Sequence, residues 1–123
     1  MKSQICYMNI LSNKYGLSDR DMQTLYDILY KYPEVLLVNI FGSRAKGTSK
    51  PGSDIDLSIM NMGANSNILH KLKNDFEESS LPYKVDLVDF HTLTNPDFAE
   101  HIKRVGAIFY QREDGNYSID TEQ

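Results

Sequence analysis

A short apolar run at residues 35–41 stops on Gly42-Ser43. Eleven residues after Ser43 the chain sets two aspartates one residue apart, in Ser53-Asp54-Ile55-Asp56-Leu57. The run is rich in β-branched residues and is bounded by Pro33 and Gly42. It is too short for a buried helix and predicts a strand covered on both faces. Residues 54–60 predict a second strand. Side chains two apart on a strand share a face, with Cα atoms about 6.5–7 Å apart. Asp54 and Asp56 therefore point one way, and Ile55 and Leu57 point the other way, toward a core.

Around these strands the pattern alternates with helices. Ser18, followed three residues later by Asp21, resembles a helix-capping start. Met22, Leu25, Ile28, Leu29 and Tyr32 then recur at helical spacing, and Pro33 stops the helix. Arg44 to Lys46 predicts a short helical turn, and Lys50-Pro51-Gly52-Ser53 has turn chemistry. Residues 65–79 predict a helix with Ile68, Leu69, Leu72 and Phe76 on one side, and 83–90 a third strand. Asn95-Pro96 opens another helix, running to about residue 104. Residues 105–111 read either as a fourth, edge strand or as a continuation of that helix, because Gly106 leaves both open. The resulting class is mixed α/β (α+β), a small sheet flanked by helices.

With 123 residues the chain predicts one domain, 1–123, whose last stretch, 112–123, is a loose tail. A net charge of −4 argues against a broad basic face for gripping nucleic acid. Cys6 is the only cysteine, so neither an intrachain disulfide nor a cysteine zinc cluster can form. The N-terminal stretch is interrupted by Gln4 and Asn9 and does not read as a signal peptide. No apolar stretch approaches the ~18 residues of a membrane span. These features predict a cytoplasmic protein with no membrane partner. The three histidines, His70, His91 and His101, are too scattered to suggest a metal site.

The chemistry lies in the acids and the turn. Glycine lets backbone approach a phosphate with no Cβ in the way, the N–H groups that follow point at the anion, and Ser43 adds a hydroxyl donor. Taken alone, Gly-Ser between a strand and a helix also suits an ordinary turn, and Asp-x-Asp also suits a solvent-facing strand edge. Asp86 adds weight. It interrupts the strand-like run Lys84-Val85-Asp86-Leu87-Val88-Asp89, where an aspartate is costly unless paired or metal-bound. Asp89, at an odd offset, points to the other face and reads as a surface or loop-capping residue. Three clustered carboxylates repel by about 4 kcal/mol per pair at 4 Å and an effective dielectric of 20. Without a cation one of them holds a proton at neutral pH. An all-oxygen donor set favours Mg²⁺ or Mn²⁺.

Together, Gly42-Ser43, Ala45, Gly47, Ser53-Asp54, Asp56-Leu57 and Asp86 resemble the nucleotidyltransferase superfamily typified by DNA polymerase β. Within it the short chain looks like the minimal nucleotidyltransferases. The resemblance covers about residues 35–90 and implies the nucleotidyltransferase fold. It implies that Gly42 and Ser43 bind the triphosphate of ATP, with Arg44, Lys46 and Ser53 as further nucleotide-binding candidates. It also implies that Asp54, Asp56 and Asp86 are catalytic and hold two Mg²⁺ ions, Asp86 doubling as the base. Lys46 departs from the arginine common in that family and offers a point charge in place of a bidentate fork. Arg44 is open between a phosphate contact, a partner contact and a solvated charge.

The implied reaction is in-line attack of an acceptor hydroxyl on the α-phosphorus, releasing pyrophosphate. Minimal nucleotidyltransferases are commonly encoded beside a helical HEPN toxin, and the resemblance implies an antitoxin that transfers AMP to a toxin tyrosine. Two other readings follow the same residues: a catalytically silent module that neutralises a HEPN partner sterically, and a transferase acting on a small molecule of the aminoglycoside type.

Overall fold

The fold follows from where apolar side chains recur and from what closes each helix. A computed structural model describes residues 15–50, 52–61 and 65–112. The readings made of the N-terminal stretch, Cys6, Pro51 and the tail beyond 112 lie outside the described residues.

Helix α1 (Asp19–Tyr30) starts as its sequence predicts: the Ser18 hydroxyl accepts from the Asp21 N–H at 3.0 Å, and Asp19 and Asp21 sit in the positive first turn. Met22, Leu25, Tyr26, Ile28 and Leu29 form its buried face. It ends on Lys31, short of the expected Tyr32. The Tyr32 hydroxyl instead donates to Asp75 at 2.6 Å.

Strand β1 (Leu37–Phe41) is central, with Val38 and Ile40 fully buried. The short helix α2 (Gly42–Lys46) follows it directly. Strand β2 (Ile55–Ile59) pairs antiparallel with β1. Helix α3 (Ser66–Glu78) buries Ile68, Leu72 and Phe76 and supplies the crossover that lets β3 (Val85–Asp89) run parallel to β2. A 3-10 turn (Phe90–Thr92) is capped by Asp89, whose carboxylate accepts from the His91 N–H at 3.1 Å, the capping role read from the sequence.

Helix α4 (Pro96–Val105) is capped by Asn95, with Pro96 in its first turn. Residues 105–111 then resolve as an edge strand, β4 (Ala107–Gln111), antiparallel to β1. A Cβ at Gly106 would come within 2.5 Å of the Ile102 carbonyl, which accepts the Gly106 N–H at 2.8 Å. Only glycine leaves the helix by so close a path.

The sheet order is β3-β2-β1-β4. One face carries Val38, Ile40, Ile55, Leu57, Ile59 and Leu87 and packs with α1 and α3 into the core. Phe109 of β4 joins it against the Tyr26 ring, 5.1 Å between centroids. The other face carries Phe41, Asp56 and Asp86. Among the described residues no helix is long and apolar enough to cross a membrane.

Candidate active site

Strand register, which no single segment encodes, assembles the acids. Phe41 lies opposite Asp56 in the β1–β2 ladder, and Asp56 lies beside Asp86 in the β2–β3 ladder. Cross-strand partners share a face, so Phe41, Asp56 and Asp86 form one row across three strands. Neighbouring strands stand about 4.8 Å apart, close enough for the two carboxyl groups to meet. Asp54 lies just before β2 and is exposed.

The electrostatics follow this placement. The Asp56 carboxyl is pushed up from 3.8 to about 6. Burial is the largest cause, the Asp86 charge the next and the Asp54 charge the third, with Arg44 pulling the other way. The protonated Asp56 also donates a hydrogen bond to Asp86. A value of about 6 leaves Asp56 mostly ionised at neutral pH, so the proton expected among the crowded acids binds there only in mildly acidic solution. The three acids do not form a closed cage: among the described residues no three His, Cys, Asp or Glu side chains are gathered as a metal would hold them. The structure pairs Asp56 with Asp86 and leaves Asp54 at the rim. This donor set is all oxygen, carries excess negative charge and is open on one side. It fits a hard divalent cation that keeps part of its water shell.

The Gly42 turn is built against the same carboxylate. Gly42 has φ +78°, and a Cβ there would collide with Asp56 Oδ2. Glycine is needed both for the backbone angle and for the space. Ser43 is half-buried, and its carbonyl accepts from the Thr48 N–H at 3.0 Å. The turn and the acid pair are thus parts of one surface.

Arg44 is placed differently from all three expectations of a phosphate contact, a partner contact or a solvated charge. It is 2% exposed. Its guanidinium donates to the carbonyls of Ser53, Tyr15 and Gly16 and stacks on the Tyr83 ring. Those donors are taken up by backbone. Lys46 is exposed on the last turn of α2. The Ser53 hydroxyl accepts from the Lys50 N–H at 2.9 Å, and the Ser53 N–H donates to the Lys50 carbonyl at 3.0 Å. Ser53 thereby shapes the turn that delivers Asp54.

A cleft of about 880 Å³ opens beside Asp56 and Asp86, and its lining takes in Gly42 but neither Asp54 nor Ser43. Asp56, Asp86 and Gly42 line it, together with residues that sequence reasoning does not single out: Tyr83, Lys84 and Phe98. The Lys84 ammonium stands 3.9 Å from Asp86. Its offset of two from Asp86 is a legible signal, since both share a strand face. Phe98 packs edge-on against Phe41, 5.8 Å between centroids, which brings α4 beside the row. His70 is exposed and His101 half-buried, and both lie on the cleft wall.

Comparison with known proteins agrees with this architecture. Over 74 residues the chain is 42% identical to a probable protein adenylyltransferase, MntA, of Haemophilus influenzae. The match covers 59% of this chain and 64% of that protein, a little under two thirds of its length. The fold is similar to a chain in the crystal structure of a toxin–antitoxin with AMP-PNP. There the TM-score is 0.61 at 22% identity, over 76% of this chain and 75% of that one. It is similar also to a chain in the complex of a tri-AMPylated Shewanella oneidensis HEPN toxin with MNT antitoxin. There the TM-score is 0.50 at 17% identity, over 75% and 71% of the two chains. The family described as Polymerase beta, Nucleotidyltransferase matches residues 23–115. An acid pair in register beside a glycine turn, within a match spanning most of the chain, makes this protein a member of the polymerase β-type nucleotidyltransferase family.

Proposed function

We propose that this chain transfers AMP from ATP to a hydroxyl of a protein partner, a tyrosine of a HEPN-type toxin, and acts as its antitoxin in the cytoplasm. The observation that carries the reading is the Asp56–Asp86 pair held in register against Gly42. The likeness to a protein named as an adenylyltransferase, and to chains of toxin–antitoxin complexes, supports it.

In this reading Gly42 and Ser43 hold the triphosphate, and the exposed Lys46 adds positive charge beside it. Asp54, Asp56 and Asp86 would hold Mg²⁺, which when bound supplies positive charge at the attacking and leaving oxygens. The acceptor oxygen attacks the α-phosphorus, the bond to the bridging oxygen breaks, and pyrophosphate leaves. Asp86, on the edge strand, takes the acceptor proton. The protein mainly positions the reactants.

The test is to incubate the chain, the product of the neighbouring gene, Mg²⁺ and ATP labelled at either the α- or the γ-phosphate. The reading expects label on the partner from α-labelled ATP only. A partner that is neutralised yet never labelled overturns it in favour of a steric module.

A further inference from the structure

Arg44 sits where the acid-bearing segments meet. Its Nη2 and Nε donate to the Ser53 carbonyl at 2.8 and 3.3 Å, directly before Asp54. Its guanidinium carbon stands 4.6 Å from the centroid of Tyr83, three residues before Asp86. Its Nη1 donates to the Tyr15 carbonyl at 2.8 Å and the Gly16 carbonyl at 3.3 Å, which ties in the segment before α1. Its own backbone follows Ser43 in α2.

Both loop contacts fall just before the strands begin pairing, where the Ile55 N–H donates to the Lys84 carbonyl at 2.9 Å. Loops before strands are where register is least constrained, because ladder hydrogen bonds have not yet started. A buried guanidinium is costly unless its donors are met. Here backbone carbonyls and one ring meet them. The planar fork reaches two loops at once, and a lysine ammonium has no equivalent geometry.

We propose that Arg44 is a positioning residue of the active site. It clamps the loops that feed β2 and β3, and so fixes Asp54 and Asp56 relative to Asp86 and to the Gly42–Ser43 turn. The clamp itself stands on geometry; its consequence for metal–nucleotide binding rests on the transferase reading.

The test uses the full chain as Arg44→Lys and, separately, as Tyr83→Leu, with two readouts. The first is hydrogen exchange of the protein alone. In Arg44→Lys, residues 53–56 and 83–86 should exchange about tenfold faster or more, with the α1 and α3 core amides unchanged. In Tyr83→Leu only 83–86 should loosen. The second is Mn²⁺·AMP-PNP affinity, which should fall about tenfold or more in Arg44→Lys. Unchanged protection of both segments, or uniform acceleration across the chain, overturns the clamp. Should Arg44→Lys not fold, Tyr83→Leu decides alone: unaltered exchange at 83–86 refutes the proposal. If the wild-type chain binds no metal–nucleotide while the exchange pattern appears as stated, the clamp stands and the transferase reading falls.

Discussion

Replacing Asp56 by asparagine should make the metal-free protein more stable while ending its chemistry. Asp56 is held at about 6 against an ordinary 3.8, first by burial and then by the charges of Asp86 and Asp54. Each step of one in pKa is about 1.36 kcal/mol, so full conversion gives about 3 kcal/mol. The site opens to water on the cleft side, and screening there reduces this to about 1–2 kcal/mol. The folded value lies above the unfolded one, so the folded protein holds the proton more tightly. Stability from this group is complete below the ordinary 3.8 and is lost as the pH rises through about 6. At pH 8 the wild type therefore carries an ionised Asp56 that folding disfavours. Asp56→Asn removes that charge and still donates to Asp86. Urea and thermal unfolding in EDTA, from about pH 4.5 to about pH 8, measure the difference between the two proteins. The variant should gain about 1–2 kcal/mol at pH 8, a melting point roughly 4–10 °C higher, and about a third of that gain at pH 4.5. A variant less stable than wild type at pH 8, or a difference that does not vary with pH, would refute the reasoning.

Three further outcomes follow from the geometry. Gly42→Ala forces a side chain into a φ of +78° and onto Asp56, and should lose about 1–3 kcal/mol in denaturant unfolding together with transfer activity; wild-type stability would contradict the close approach. Leu57→Ala empties a fully buried position in the core and should lose about 2–5 kcal/mol, again by urea unfolding, with a smaller loss showing that the sheet face is not packed as described. Tyr32→Phe removes the 2.6 Å bond to Asp75 that joins the end of α1 to α3, and should lose about 0.5–1.5 kcal/mol without touching activity.

Much of this protein is legible in its sequence because local rules agree with the fold. Ser18 and Asn95 each cap the helix that their positions predict, Asn65 caps from just outside the helix it is expected to begin, and Ile55 and Leu57 turn to the core as alternation requires. Asp86 stands out because an acid within an apolar strand needs a reason. What pairs it with Asp56 is strand register, set through the α3 crossover, and that is a tertiary outcome. Arg44 is illegible for a simpler reason: its partners are backbone carbonyls and a ring far along the chain, and every residue offers a carbonyl. Asn61 is the same case, its amide oxygen accepting from the Leu36 and Leu37 N–H groups at the start of β1. Residues 105–111 are ambiguous because the pattern fits helix and strand alike, and the crowding at Gly106 that decides between them depends on the helix's own carbonyl. Phe98 and His101 share a helix face in the sequence, but only packing of Phe98 on Phe41 turns that face to the acids.

If the acid row and the glycine turn form one metal-dependent nucleotide site, nucleotide binding must depend on both the metal and the acids. Calorimetric titration of AMP-PNP into the chain, with and without Mg²⁺, tests this most directly when repeated on the Asp54→Asn, Asp56→Asn double variant. Binding should require Mg²⁺ in the wild type and vanish in the double variant, whose fold persists. Equal binding without the metal, or undiminished binding by the double variant, would contradict the account.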